Sequence, residues 1–247
     1  MAESAMPRTA TISSWLGKFA PSCALAGILG IHLGVVPPIG GYLFYMIGML
    51  TAMFAIVFSI AGFIINRADL SDRARTSYWL GLASGTLMFT ITMAVAFAAP
   101  DMGTAPPIND ISTDLEDPPE FASSSDVPDF EGRDMSYPPE FIPIVRESYP
   151  DLHTVRTSGS PEAAFDKAVT TAQALGWDIV HRSPDTGTFD ARESSTLFEF
   201  VDDMTVRVRA GAGDEVLIDV RSKSRDGRGD LGVNAARIRA FSEAFGG

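Results

Sequence analysis

The sequence predicts an N-terminal three-helix transmembrane segment joined to a soluble α+β domain, in which two helices pack on one face of a mostly antiparallel sheet. Charge is divided unevenly, because the mostly apolar residues 1–99 carry five Lys/Arg and three Asp/Glu, a net charge of +2. Residues 100–247 carry fourteen Lys/Arg and twenty-eight Asp/Glu, a net charge of −14. This division is typical of a membrane segment attached to a water-facing domain, and the acidity argues against a nucleic-acid partner. Residues 151–247 then show a helical pattern, several period-two segments and a second helical pattern, which is the order of an α+β domain.

Three apolar segments are long enough to cross a bilayer, which takes about 20 residues in a helix. The segments are Trp15–Val36, Gly41–Ile65 and Ser77–Ala99. The first is the weakest, because Pro21 interrupts it and Lys18 lies in its first turn. A cleaved signal peptide is the alternative for this segment, but the chain runs into the next apolar segment without a clear cleavage site. We therefore predict a tail at residues 1–14 and three spanning helices within residues 15–99.

Basic residues in the short connections set the predicted orientation. Arg8 and Lys18 belong to the tail and the first turn, whereas Arg67, Arg73 and Arg75 lie between the second and third spans. Because cytoplasmic loops are enriched in Lys and Arg, we predict that the tail is cytoplasmic. Three spans then place the α+β domain on the opposite side, in the periplasm of a bacterium with two membranes. The predicted location is the bacterial inner membrane, as a multi-pass protein with bilayer lipid as a partner.

Five residues in the apolar segments are candidates for packing or function. Gly30 and Gly34 in the first span, and Gly81 and Gly85 in the third, form G-x-x-x-G motifs, which let helix backbones approach closely. We expect packing within the three-helix bundle rather than against a partner protein. His32 lies between the first pair of glycines, and an ionisable residue at this depth is a candidate metal ligand or proton relay. The favoured interpretation of His32 is an interhelical hydrogen bond.

Composition separates a linker from the soluble domain. Residues 100–150 are rich in Pro, Asp, Glu and Ser, so we predict an extended linker that does not fold alone. The domain at 151–247 opens with a helix, because Ser160 is a good N-cap before Pro161 and Gly176 is placed to end the helix. The period-two segments predict four or five half-buried strands. They are Trp177–His181, Thr188–Glu193, Thr196–Val201, Met204–Ala210 and Glu215–Ser222.

The last predicted strand leads through a glycine-rich loop into a final helix, Leu231–Phe245. Asp230 lies where the N-cap of this helix is expected, and the preceding glycines permit a sharp strand-to-helix turn.

The same stretch resembles a known family pattern. Residues 198–209 (FEFVDDMTVRVR) and 218–238 (IDVRSKSRDGRGDLGVNAARI) are similar to the core of the bacterial DUF1499 family, with the pattern R-S-x-S-R-x-G-x-x-D-x-G-x-N-x-x-R-I. The matching residues are Arg221, Ser222, Ser224, Arg225, Gly227, Asp230, Gly232, Asn234, Arg237 and Ile238. Residues 106–121 also resemble the lead-in of members with several membrane spans, so the resemblance covers about residues 106–245. It implies no established activity, because the family has none.

The loop between the last strand and the last helix is the candidate ligand-binding site. Arginine side chains and an open helix N-terminus are the groups that hold phosphate or carboxylate. The candidate residues are Arg221, Ser222, Ser224, Arg225, Arg228, Asp230 and Asn234. The structural alternative is that Arg221 or Arg225 pairs with Asp202, Asp203 or Asp219 across the sheet, with Asp230 occupying the helix N-terminus.

No residue pattern in the sequence indicates catalysis, a cofactor or a metal site. Asp202 and Asp203 are adjacent in a strand and point to opposite faces, so they do not form a simple acid–base pair. We therefore expect a non-catalytic accessory, scaffold or assembly factor of a membrane complex, with a membrane-protein partner. The alternative is a periplasmic lipid or small-anion binding protein that uses the loop from Arg221 to Asp230, and a hydrolase is the third possibility.

Overall fold

The computed structural model describes residues 6–68, 70–97 and 103–246, which belong to two compact units. The first unit is built from residues 1–98 together with residues 196–199, and the second from residues 99–195 and 200–247. The predicted end of the third span at Ala99 and the predicted start of the linker at residue 100 lie outside the described residues.

Three long helices form the first unit: α1 (Arg8–His32), α2 (Pro38–Ile65) and α3 (Asp72–Phe97). All three are long and apolar enough to cross a membrane, as the sequence predicts. Helix α1 begins seven residues before the predicted start of the first span, so residues 8–14 of the predicted tail at 1–14 are helical. Pro21 lies inside α1 rather than ending it, and proline is tolerated inside membrane-spanning helices.

Small residues line the contacts among the three helices. A Cβ atom at Gly81 would lie 2.6 Å from Ser59 Oγ and closer still to Ser13 Oγ, so all three helices meet at this glycine. The two serine hydroxyls are buried and hydrogen-bond each other at 2.7 Å. A Cβ atom at Gly85 would lie 2.7 Å from the Ala52 carbonyl oxygen. The motif at Gly81 and Gly85 therefore serves close packing inside the bundle, as expected.

The motif at Gly30 and Gly34 does not pack helices together, which corrects the prediction. Gly34 lies beyond the end of α1 in a turn, with a φ of 66° that favours glycine, and no atom would meet a Cβ there within 4 Å. Gly30 faces the side chain of Val36 in the same turn. The close approach between α1 and α2 falls instead at Gly27, where a Cβ atom would lie 2.5 Å from the Gly41 carbonyl oxygen.

The second unit is an α+β domain with an antiparallel sheet, as the sequence predicts. The sheet order is β1-β6-β5-β4-β3, and β2 also pairs with β6. The strands are β1 (Asp110–Ser112), β2 (Val155–Ser158), β3 (Asp178–Ser183), β4 (Thr188–Ser194), β5 (Val201–Ala210) and β6 (Glu215–Ser224). The helices are α4 (Phe141–Ser148), α5 (Pro161–Ala174) and α6 (Val233–Gly246), with a short 3₁₀ turn at Pro128–Phe130.

Helices α5 and α6 contribute to one apolar core with the central strands. Helix α5 begins as predicted, because Ser160 Oγ accepts a hydrogen bond from the Ala163 amide at 3.1 Å. The chain turns out of α5 at Gly176, whose φ is 89°. The buried core contains side chains from both helices and from β4, β5 and β6. Trp177 stacks on Phe241 of α6 with ring centroids 5.3 Å apart, which ties the start of β3 to the last helix.

One predicted strand is absent from the described sheet. The segment Thr196–Val201 does not add a strand, because the chain leaves the sheet after Ser194 and re-enters it at Val201. The Ser195 amide donates to the Phe200 carbonyl oxygen at 2.8 Å, which closes the loop. Glu199 adopts a φ of 51° within this loop, a conformation that no strand residue takes.

The predicted linker differs most from the structure. Within residues 103–150, β1 pairs with the far end of β6, and Asp110 lies opposite Lys223. Ile108, Ile111 and Val145 are fully buried in the same core as α6. These apolar residues are interspersed with Pro and charged residues. The average composition of residues 103–150 therefore does not indicate that they are buried. The folded domain therefore includes much of residues 103–150 and does not begin at residue 151.

Substitution of Gly81 by Leu is predicted to loosen the helix bundle. The added side chain would overlap the Ser13 and Ser59 hydroxyl groups, and overpacking of this kind costs about 1–3 kcal/mol or more. We expect a lower thermal midpoint for the full chain in mild detergent, measured by size-exclusion chromatography after heating. Ala83→Leu is the matched control on an exposed face of the same helix, and its midpoint should stay at the wild-type value. Equal midpoints for the two variants would contradict close packing at Gly81.

Candidate functional site

Strand β6 carries three of the seven candidate ligand-binding residues, Arg221, Ser222 and Ser224, and lies inside the sheet. It pairs with β5 along one edge and with β1 and β2 along the other. Val216, Ile218 and Val220 belong to the apolar core. Because successive strand residues point to opposite faces, Asp219 and Arg221 lie on the face away from that core.

We call this second surface of the sheet the polar face. Its members come from β1, β4, β5 and β6 and follow the strand register. They are Asp110, Asp190, Asp203, Thr205, Arg207, Arg209, Asp219, Arg221 and Lys223. Six of these nine are at most 1% exposed, namely Asp110, Asp190, Asp203, Thr205, Asp219 and Arg221. Residues 114–137 cover the polar face and supply both acceptors and aromatic rings to it.

Arg221 is the central group of the polar face and is 1% exposed. Its Nε and Nη2 atoms donate to the two carboxylate oxygens of Asp110 at 2.9 and 2.7 Å. Nη1 donates to the Pro119 carbonyl oxygen at 3.1 Å, and Nη2 donates to the Met135 carbonyl oxygen at 2.9 Å. The guanidinium group of Arg221 therefore donates hydrogen bonds to protein acceptors on several sides.

Two aromatic rings and a second cation complete the surroundings of Arg221. The Phe121 and Tyr137 rings lie with their centroids 4.8 and 5.1 Å from the guanidinium carbon, within the range of cation–π contacts. Lys223 Nζ also pairs with Asp110 at 3.0 Å. Burial, and secondarily the Asp110 carboxylate, raises the pKa of Tyr137 well above its ordinary value. The Tyr137 hydroxyl therefore stays neutral at physiological pH.

A second ion cluster surrounds the fully buried Asp219. Arg207 and Arg209 both donate to Asp219 Oδ2, at 3.1 Å each, and Thr154 donates to Oδ1 at 2.6 Å. Asp114 receives hydrogen bonds from the same two arginines at 3.2 and 3.1 Å. The cluster joins β5 and β6 to the segment at residues 114–117.

Arg225 directly follows β6 and forms an ion pair with Asp203. Its Nε and Nη2 atoms donate to both carboxylate oxygens of Asp203 at 2.7 and 2.8 Å, in the bidentate geometry typical of strong pairs. Asp129 lies 3.7 Å from Nη1. The hydrogen bond to Asp203 raises the pKa of Arg225 above its ordinary value.

Three other candidate residues lie on the opposite, helix-facing side of the sheet. Ser222 Oγ donates to Asn234 Oδ1 at 2.6 Å, and Asn234 Nδ2 donates to Ser224 Oγ at 3.0 Å. Arg237 donates to Asn234 Oδ1 at 2.9 Å and pairs with Asp202 at 2.8 Å. Burial raises the pKa of Asp202, and the Arg237 charge opposes that rise. This network attaches α6 to the end of β6.

The loop between β6 and α6 contains the remaining two candidates. Helix α6 begins at Val233, two residues after the predicted start at Leu231, so Asp230 does not lie at its N-cap. The Asp230 carboxylate still accepts from the Gly232 and Asn234 amides at 3.0 and 2.8 Å and so supports the first turn of α6. Gly227 and Gly232 adopt φ values of 86° and 83°, which the sharp turn requires. Arg228 is exposed at the tip of the loop.

The structure does not bring the seven candidate residues together. Arg221 and Arg225 pair with Asp110 and Asp203 of the polar face, respectively, while Ser222, Ser224 and Asn234 form a network on the helix-facing side. Arg225 pairs with Asp203, as the structural alternative predicts, but Arg221 pairs with Asp110, which lies within the predicted linker.

Several participants were not singled out from the sequence. Arg207 and Arg209 lie at alternate positions of β5 opposite the apolar residues, and this alternation is a usable signal for a charged sheet face. Asp110 and Asp114 gave no such signal, because they lie in the acidic segment that resembles a linker.

Asp190 and His181 form the closest arrangement to an acid–base pair that the described residues of the sheet contain. His181 Nδ1 lies 3.2 Å from Asp190 Oδ2, and the Ala122 amide donates to Oδ1 at 3.4 Å. Burial raises the pKa of Asp190, although the hydrogen bonds it accepts oppose the rise. The pair joins β3 and β4 to the covering segment, so its contacts are those of a structural group.

His32 is the last residue of α1, and among the described residues it bonds to Glu199 rather than to another helix. Its Nδ1 atom is 2.8 Å from Glu199 Oε1, a residue of the same unit, and its side chain is 41% exposed. The predicted interhelical hydrogen bond is therefore wrong in its partner, since α1 ends at His32 and the imidazole lies beyond the helix contacts.

Three helices suited to a bilayer and an α+β domain with an internally paired charged sheet face define a candidate membrane-anchored protein. The chain belongs to the DUF1499 family, because residues 110–245 match the family model for "Protein of unknown function (DUF1499)". The match covers the domain, and the N-terminal helices are a separate segment. No curated protein matches the chain.

Removal of the Arg221 side chain is predicted to destabilise the domain strongly. Arg221→Ala leaves the Asp110 carboxylate buried with Lys223 as its remaining cation, and breaking a buried pair costs about 3–5 kcal/mol. Arg221→Lys should restore little of the loss, because an ammonium group cannot form the bidentate contact. Pulse proteolysis of the full chain in urea and mild detergent measures these changes.

Arg228→Ala is the matched control for Arg221→Ala, because it removes an exposed arginine seven residues away. Its free energy of unfolding should stay within about 0.5 kcal/mol of the wild type. An Arg221→Ala variant as stable as Arg228→Ala would refute the central role assigned to the buried pair.

Proposed function

We propose that the chain is an integral membrane protein whose α+β domain acts as a non-catalytic accessory, scaffold or assembly factor of a membrane complex. The observation that supports this role is that the arginine side chains of the family pattern form ion pairs within the domain. Arg221, Arg225 and Arg237 are all engaged with carboxylates of the domain itself. Chemistry on a substrate requires groups that reach it, whereas these groups hold strands, α6 and the covering segment together.

The proposed location is the bacterial inner membrane, with the N-terminus in the cytoplasm and the domain in the periplasm. Basic residues support this orientation. Arg8 lies at the start of α1, Arg67 follows α2, and Arg73 and Arg75 lie in the first turn of α3, so these four residues share one end of the bundle. An end rich in Lys and Arg is typical of the cytoplasmic side.

A periplasmic lipid or small-anion binder using the loop from Arg221 to Asp230 is less well supported. Two of its three arginines donate to buried carboxylates, and a ligand would have to displace those contacts. Arg228 is the exposed arginine of this loop, so it is the residue on which that alternative depends.

Purification of the tagged full chain in mild detergent is predicted to recover a stoichiometric protein partner. Mass spectrometry of the proteins and lipids that co-purify is the measurement, with the Arg228→Ala variant in parallel. We expect the same partner with both chains, because the exposed loop arginine is not the proposed docking group. A chain that carries no protein partner but retains a lipid or anion, which Arg228→Ala loses, would favour the binding protein instead.

A phosphatase fusion tests the proposed orientation. Alkaline phosphatase fused at the C-terminus is expected to be active, because the enzyme matures in the periplasm and three spans place this end there. The control is a fusion within residues 66–71, between α2 and α3, which should be inactive. An inactive C-terminal fusion from a stable, full-length product would show that the domain is cytoplasmic.

A further inference from the structure

The first unit contains a short segment from far along the chain. Besides α1, α2 and α3 it includes residues 196–199, which lie between β4 and β5. The ladder between these two strands continues as far as the pair of Ser194 and Val201. Next to that pair, the Ser195 amide donates to the Phe200 carbonyl oxygen at 2.8 Å, and the Phe200 amide donates to Ser195 Oγ at 3.0 Å. Residues 196–199 therefore form a loop with a closed base, which can move without separating the strands.

Phe198 makes the apolar contact of this loop with the helices. Its ring lies edge-on to Tyr42 and to Tyr45 of α2, with ring centroids 5.3 Å apart in both pairs. Edge-to-face packing is a favourable arrangement of aromatic rings. We call the surface formed by these two rings the tyrosine site. Phe198 also packs against a buried cluster from all three helices, which contains Ala20, Ala24, Tyr45, Ala52 and Met88.

Contacts within the helix bundle fix one wall of the tyrosine site. The buried Tyr45 hydroxyl lies 2.8 Å from Thr92 Oγ1 of α3. Thr92 donates its single hydroxyl hydrogen to the Met88 carbonyl oxygen at 2.9 Å, so Tyr45 is the donor in its contact with Thr92. Helix α3 therefore sets the orientation of the Tyr45 ring, and this orientation does not depend on Phe198.

A polar contact follows directly after the apolar one. His32 Nδ1 lies 2.8 Å from Glu199 Oε1, and the two side chains are 41% and 45% exposed. Because water competes for groups at this exposure, the contact directs the loop but stabilises it only slightly. Glu199 also adopts a φ of 51°, a conformation that costs free energy in a residue with a side chain. The bound position of the loop is therefore well defined and weakly stabilised.

We propose that residues 196–199 form a latch that closes on the helix bundle and can be released from it. In the closed state Phe198 occupies the tyrosine site, and Glu199 holds the loop in register through His32. Release withdraws the Phe198 ring from Tyr42 and Tyr45, while the closed base of the loop keeps β4 and β5 paired. This inference goes beyond the proposed function and depends neither on bilayer insertion nor on a protein partner.

Photo-crosslinking tests the closed state. Phe198 is replaced by p-benzoylphenylalanine in the full chain in mild detergent, because this aromatic residue bonds on irradiation to C–H groups that it contacts. We expect an intrachain product with residues 42–49 of α2, located by mass spectrometry of the digested chain. The same probe at the exposed Thr196 should give about one tenth of this product or less, because the reaction requires proximity.

Native-state proteolysis measures release of the latch with the aromatic contact intact. A glutamate-specific protease cleaves after Glu199 only when the loop leaves the helices, so the cleavage rate follows the population of the released state. His32→Ala should raise this rate about two- to fivefold, as expected for an exposed ion pair. Tyr42→Ala should raise it roughly two- to tenfold, because it removes one of the two aromatic contacts of Phe198.

Leu33→Ala is the matched control for His32→Ala, because it truncates the adjacent side chain, which is 73% exposed. Its cleavage rate at Glu199 should equal that of the wild type. Cleavage after the exposed Glu131 should be the same in all variants, which verifies that none of them is generally unfolded. The latch is overturned if His32→Ala and Tyr42→Ala are cleaved at Glu199 no faster than Leu33→Ala. It is equally overturned if the probe at position 198 reacts with α2 no more than the probe at Thr196 does.

Discussion

The pair formed by Arg221 and Asp110 is the interaction on which the domain most depends. A guanidinium group that is 1% exposed has lost its hydration, and this loss must be offset by protein contacts. The bidentate carboxylate, two carbonyl oxygens and two aromatic rings provide those contacts from three separate parts of the chain. The pair therefore fixes β1 and the covering segment against β6, although few apolar residues in that segment would hold it there.

The sheet consequently has two different faces. One packs α5 and α6 through apolar side chains, while the other is covered through charged groups that satisfy one another. A buried ion pair contributes little net stability compared with an apolar contact of the same volume, but a misaligned one is costly. For this domain we infer that the charged face specifies where residues 114–137 lie, whereas the apolar core supplies most of the stability. The ion cluster around Asp219 has a similar effect on strand register. Asp219 accepts hydrogen bonds from both Arg207 and Arg209 only when β5 and β6 pair in the observed register.

Local signals in the sequence identify α5, β5 and β6, but they do not identify the long-range partners of these elements. The start of α5 at Ser160 and its end near Gly176 follow from side-chain capping and glycine conformation, both of which act over a few residues. The alternation in β5 and β6 likewise identifies strands. Asp110 lies more than one hundred residues from Arg221 and inside an acidic stretch, so no local pattern marks it as the partner. The candidate site is divided for a local reason: Arg221 and Ser222 are adjacent in β6 and therefore belong to opposite faces of the sheet.

The glycine motifs of the first unit show a related limit. Gly30–Gly34 and Gly81–Gly85 have the same spacing, yet only the second pair packs helices together, because Gly34 adopts a positive φ and lies beyond the end of α1. Spacing predicts which residues would share a helix face, but not whether the helix continues through them. This distinction matters for function, since the family match begins at residue 110 and carries no information about α1, α2 or α3.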